Sequence, residues 1–153
     1  MDKPLTTWYC DSCGGPITDL TQSLLTWDTD DTGRATEFRI VHKSMGGRQC
    51  DPYRAPSPRF TSSNELSNYV GADGLAALLS FLSAGPLIGK TASFPRVADF
   101  DQFVDVVRRL QTPWYEEARS HFAEEEVRDA LEDASETLPY LSDVLRRIVT
   151  GTL

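Results

Sequence analysis

The sequence has few cysteines and histidines, no long apolar run and no surplus of positive charge. Cysteines number three and histidines two among 153 residues. A small, odd cysteine count does not fit the paired framework of a disulfide-stapled secreted domain. No apolar stretch approaches the roughly 20 residues of a membrane-crossing helix, so no membrane partner is expected. The opening Met1-Asp2-Lys3-Pro4-Leu5-Thr6-Thr7 lacks the apolar core of an export signal, and the expected setting is the reducing cytoplasm. With 15 basic residues against 23 acidic ones, a net charge of −8, the chain has no broad positive surface for a phosphate backbone. What is present is ordinary globular composition: 40% hydrophobic and 25% charged, enough to build a core. The length suits one integrated domain over residues 1–153.

The cysteine spacing carries the chemistry. Cys10-Asp11-Ser12-Cys13 is a C-x-x-C pair followed by Gly14-Gly15. Two thiolates from one tight turn reach the same ion, and small residues after the second cysteine let backbone amides turn toward the sulfurs. A structural zinc ion takes four tetrahedral ligands. His42 and Cys50 supply the other two, giving C-x2-C-x28-H-x7-C. His42 ends an alternating run in which Phe38, Ile40 and His42 share one face. Gly46-Gly47 then permit a sharp return to Cys50. The expected cofactor is one structural zinc ion on Cys10, Cys13, His42 and Cys50. Two other readings use the same residues: a C-x-x-C redox pair, which Gly14-Gly15-Pro16 opposes by blocking an immediate helix, and a Cys50 nucleophile with His42 as its base.

The segment from Trp8 to Cys50, through Tyr9-Cys10-Asp11-Ser12-Cys13-Gly14 and the later His42 and Cys50, resembles zinc-ribbon and treble-clef-like modules. It carries H-x7-C where a ribbon has its second C-x-x-C. The resemblance implies a metal-stapled β unit and covers under a third of the chain. Such modules serve nucleic-acid binding, protein binding and scaffolding alike.

The remaining pattern predicts an α+β fold. A small antiparallel β unit, zinc-stapled, occupies residues 1–45, with strands at Ser23–Trp27 and Glu37–Lys43. Residues 44–64, rich in Gly, Pro, Ser and Arg, read as a loop. A bundle of four to five helices follows over 65–153. Asp73 is the expected cap of an all-round apolar, buried helix over 74–83. Asp99 caps an amphipathic helix bearing Phe100, Phe103, Val104, Val107 and Leu110. Thr112 and Pro113 are expected to start a helix running through Phe122. Val127, Leu131 and Ala134 mark another helix, and Thr137-Pro139 the opening of the last.

Other features are weaker. Gly85 to Thr91 imitates a phosphate-binding loop, but it is one residue short and follows a helix rather than a strand, so no nucleotide is expected. Glu117 and His121 stand four apart and read as a surface ion pair. Most of the negative charge follows residue 60, with ten acidic residues from Glu116 to Asp143. The sequence therefore reads as a non-enzymatic zinc protein that meets a protein partner through an acidic helical surface. One alternative is a nucleic-acid-binding transcriptional regulator using Lys43, Arg48, Arg54 and Arg59; another is a small zinc or thiol enzyme.

Overall fold

The computed structural model describes residues 5–44, 47–51, 60–87 and 96–153. Arg54, Arg59 and the end of the phosphate-loop look-alike, from Ile88 on, lie outside the described residues. The fold is α+β, with small antiparallel sheets at the N-terminus and five helices. A two-residue strand pair opens the chain: β1 (Trp8–Tyr9) runs antiparallel to β2 (Pro16–Ile17), flanking the C-x-x-C turn. A second sheet has the order β4-β3-β5, with β3 at Ser23–Thr29, β4 at Ala35–His42 and β5 at Phe60–Glu65. The β3–β4 connection is a tight turn. Asp30 Oδ1 accepts hydrogen bonds from the backbone N–H groups of Thr32 and Arg34.

Strand β5 corrects the expectation that residues 44–64 form only a loop. It pairs with β3 from Leu24↔Glu65 to Thr29↔Phe60, which makes β3 the central strand. Between Thr26 and Asp28 the β3–β4 register shifts, and Glu37 takes a positive φ of 54° at the irregularity. The bulge presents the Glu37 N–H to Gln102 Oε1, 3.1 Å away, and so ties the sheet to the helix above it.

The helices are α1 (Gly71–Leu79), α2 (Phe100–Gln111), α3 (Tyr115–Ala118), α4 (Glu125–Asp133) and α5 (Ser142–Thr150). Asp99 caps α2 as expected, its carboxylate accepting from the Gln102 N–H at 3.1 Å. Three other starts differ from expectation. Helix α1 begins three residues early, with Asp73 inside its first turn rather than at its cap. Thr112 ends α2 instead of opening the next helix; its N–H donates to the Arg108 carbonyl, and Trp114 turns left-handed at φ 70°. Helix α3 is therefore only four residues long, followed by a 3-10 turn over Arg119–His121. Helix α5 starts at Ser142, beyond Thr137 and Pro139.

Two apolar clusters hold these elements. The first packs β1 to β4 and the Leu66–Tyr69 turn under α1 and α2, around Trp8, Leu25, Ile40, Leu66, Leu78, Phe103 and Leu110. Phe81 sits edge-on to Trp27 and Phe38 at 4.9 and 5.3 Å between ring centroids. The second joins Tyr115 and Ala118 to Val144, Leu145 and Ile148, so α3 packs on α5. Helix α1 is not the buried centre its sequence suggests. Only Gly74 and Leu78 are buried, while Leu75 is 42% and Leu79 52% exposed.

Gly74 is where the turn over Leu66–Tyr69 meets α1. A Cβ there would stand 2.1 Å from the Tyr69 carbonyl carbon. Gly74→Ala must displace backbone, and an overpacking cost of about 3 kcal/mol is expected in urea denaturation. An unchanged midpoint would show that the turn yields freely.

Candidate metal centre

Four side chains from three separated segments converge at one end of the β unit. Their ligand atoms, the sulfurs of Cys10, Cys13 and Cys50 and a ring nitrogen of His42, all lie within 4.8 Å of one another. Cys10, His42 and Cys50 are buried and Cys13 is exposed. A tetrahedral ion with Zn–S of about 2.3 Å separates its sulfurs by about 3.8 Å, so the observed spacing fits one ion. Cys13 Sγ lies 3.5 Å from His42 Nδ1, close to the sulfur–nitrogen edge of such a tetrahedron. The cluster can hold a metal ion.

Backbone geometry builds the thiol pair. The Cys10 N–H donates to the Gly15 carbonyl at 2.9 Å, and the Gly14 N–H to the Cys10 carbonyl at 2.8 Å. This closes the turn, and Gly14 supplies the positive φ of 74° that it needs. The Ser12 and Gly15 amides then each point at a sulfur, Cys10 and Cys13 respectively, both at 3.4 Å. The Gly15 N–H is the main cause holding the Cys13 thiol below its ordinary pKa. Burial, followed by the neighbouring thiols, pushes the Cys50 thiol up to about 11. A metal arriving at neutral pH must therefore displace the Cys50 proton.

His42 is oriented from behind. Its Nε2 lies 3.0 Å from the Pro16 carbonyl oxygen, which only accepts, so Nε2 carries the proton and Nδ1 keeps its lone pair toward the thiols. The strand that carries His42 is also tied to the thiol turn. The Asp11 N–H donates to the Ile40 carbonyl, and the Ile40 N–H to Asp11 Oδ2, both at 2.8 Å.

Asp11 leads to a feature that the sequence reading missed. Arg109 of α2 is 3% exposed, and its Nη1 donates to Asp11 Oδ2 at 2.7 Å. Its Nε and Nη2 grip Glu116 of α3 at 2.7 and 2.8 Å, and Nη2 also reaches the Tyr9 carbonyl at 3.1 Å. Glu116 Oε1 accepts the Tyr9 N–H in turn, and Trp8 Nε1 donates to the Arg109 carbonyl. Burial would lower the Arg109 pKa, but Glu116 and Asp11 outweigh it and hold the guanidinium above its usual range. One cation thus binds the thiol turn to both α2 and α3.

Of the basic residues proposed as a partner patch, Lys43 and Arg48 are described, and both line one hollow. Lys43 pairs with Glu65 at 2.5 Å. Arg48 is exposed and lines a hollow of about 250 Å³ with Lys43, His42 and Asp19. The expected pair of Glu117 with His121 is replaced: His121 Nδ1 meets Glu124 Oε1 at 2.8 Å. Among the described residues, no helix is long and apolar enough to cross a membrane. Compared with protein-family models, curated proteins and solved structures, the chain matches none.

Proposed function

We propose that Cys10, Cys13, His42 and Cys50 hold one zinc ion as a structural centre. The chain then acts as a non-enzymatic, cytoplasmic module that binds a protein partner through its acidic helical surface. The observation that carries this reading is the convergence of four ligand atoms within 4.8 Å, with Cys10, Cys13 and His42 each oriented by a backbone hydrogen bond. Three thiolates and one imidazole complete a tetrahedron and leave no position for a reactive water. The set suits zinc better than an iron–sulfur cluster, which takes four cysteines or two cysteines with two histidines. The zinc would supply folding energy to a β unit too small to be stable alone. In the zinc-loaded state His42 Nδ1 and the Cys50 thiolate are both committed to the ion, which leaves neither free for nucleophilic chemistry.

The test is metal content by mass spectrometry on protein purified without chelator, together with iodoacetamide labelling of the folded sample. About one zinc per chain and protection of all three cysteines are expected. A metal-free protein, or one whose Cys50 alkylates as quickly as a free thiol, would overturn the reading in favour of thiol chemistry.

A further inference from the structure

Helix α4 has no buried residue, yet it covers one side of a hollow of about 440 Å³ against α5. The floor is apolar: Val127 and Ala130 come from α4, Ile148 and Val149 from α5. The rim is acidic, with Glu124 and Glu126. His121 and Val149 also line a second hollow of about 610 Å³, which extends past the Arg119–His121 turn to Glu116, Glu117 and Tyr9. Glu117 Oε2 is shielded from solvent and has no hydrogen-bond partner.

Of the nearby basic residues, Arg119 and His121 are paired, while the exposed Arg128 of α4 forms no ion pair among the described residues. Arg119 contacts Asp105 at 3.6 Å and Glu116 at 3.9 Å, and His121 contacts Glu124. Among the described residues, neither Glu117 nor Glu126 forms an ion pair, and nor do Glu125, Asp129, Glu132 and Asp133 along α4. The joined surface therefore offers an apolar floor between unpaired carboxylates. The groove between α1 and α2, lined by Leu75, Leu79 and Phe100, is apolar too, but it has no such charge pattern.

We propose that the α4–α5 hollow and its extension to Glu117 receive a lysine- or arginine-bearing amphipathic segment of another protein. Apolar side chains of that segment lie on Val127, Ala130 and Val149, and its cations meet the exposed carboxylate of Glu126 on the rim. A nucleic acid would be repelled by this rim, and a second copy of the chain brings its own net charge of −8. The proposal rests on the reading of the chain as a protein-binding module and specifies where and what it binds.

The probe is a helical peptide of leucine, alanine and lysine, about four turns long, with its lysines on the two edges of the apolar face. It is titrated into the full chain and followed by amide chemical shifts and by calorimetry. Two controls use the same composition scrambled and glutamate in place of lysine. The expected result is binding whose shifts cluster on α4, α5 and the 119–121 turn. Glu126→Lys should weaken it at least about tenfold, or about 1.4 kcal/mol. Ala130→Phe, which fills the floor without changing charge, should weaken it as much while leaving the melting temperature intact.

No binding overturns the proposal. So does equal binding of the scrambled peptide, indifference to Ala130→Phe, or a shift map centred on the α1–α2 groove. A dimer in sedimentation that Ala130→Phe dissociates would assign the hollow to a second copy and overturn it as well. Zinc content is measured on the same sample. A fully loaded protein that ignores the peptide fails the docking site alone, and a metal-free protein that binds it fails the metal centre alone.

Discussion

Replacing Cys10 with serine is expected to remove the metal and to release the whole thiol turn from the sheet. Structural zinc in small domains supplies about 10–16 kcal/mol of apparent binding energy at neutral pH. That is comparable with the entire net stability of a typical domain, about 5–15 kcal/mol. The strand pairing beside the turn is too short to replace it, and the turn itself keeps the links of Asp11 to Ile40 and Arg109. Strands β1 and β2 share only two residue pairs, Trp8↔Ile17 and Tyr9↔Pro16. Cys10 and Cys50 are themselves members of the main apolar cluster beside Trp8 and Ile17. Amide exchange should show residues 8–17 and 47–51 losing protection, while the β4-β3-β5 sheet persists under α2. Chelation of the wild-type protein should reproduce the effect, which separates loss of metal from the serine itself. If melting and exchange at Trp8 and Ile17 stay unchanged after the metal is removed, the turn is held by protein contacts and the centre is not structural.

The cluster of Cys10, Cys13, His42 and Cys50, which can hold a metal ion, was legible in the sequence because the spacing is a chemical statement. Two thiols on one tight turn, followed by a histidine and a cysteine, leave few other uses for those residue types. The α+β order was legible for a similar reason: alternation around β3 and β4, and the 3.6-residue period of α2, are both strong. Strand β5 was not, because Phe60-Thr61-Ser62-Ser63-Asn64-Glu65 has a single apolar residue and no alternation. Its place comes from backbone pairing with β3, and its polar side chains suit an edge strand. The early start of α1 depends on Gly74 fitting under the Tyr69 backbone, a contact no periodicity records.

Helix-face reasoning also misassigned part of α2. It placed Phe100 with the core, yet Phe100 is exposed, and Arg109 is buried beside Val106 and Leu110. An arginine near the C-terminal end of a helix reads as a solvated charge that favours the helix dipole. Its real partner, Asp11, lies 98 residues earlier, inside the C-x-x-C pair. Glu116 had the same ambiguity: a carboxylate in the first turn of a helix is expected on local grounds. Only the tertiary arrangement turns these two ordinary helix-end charges into a buried pair.

That pair supports the second large prediction, which concerns Arg109→Met. The substitution keeps apolar bulk but leaves the Asp11 and Glu116 carboxylates without the cation between them. Glu116 is almost wholly buried and keeps only the Arg119 guanidinium, 3.9 Å away, so it must ionise weakly paired or bind a proton. Removing one partner of a buried pair costs about 3–5 kcal/mol, because the remaining charge cannot recover its solvation. For a chain of this size, a fall in Tm of about 10 °C or more is expected. Arg109→Lys should recover only part of it, since one ammonium cannot donate simultaneously to Asp11, to both Glu116 oxygens and to the Tyr9 carbonyl. The double variant Arg109→Met with Glu116→Gln should be more stable than Arg109→Met alone, because it removes the stranded charge. The same cycle tests the link to the metal. Asp11 holds the thiol turn against Ile40, two residues from His42, so Arg109→Met should also speed release of the metal to a competing chelator. Arg109→Met within about 0.5 kcal/mol of wild type, with unchanged metal release, would show that the turn stays anchored through the Ile40 backbone alone.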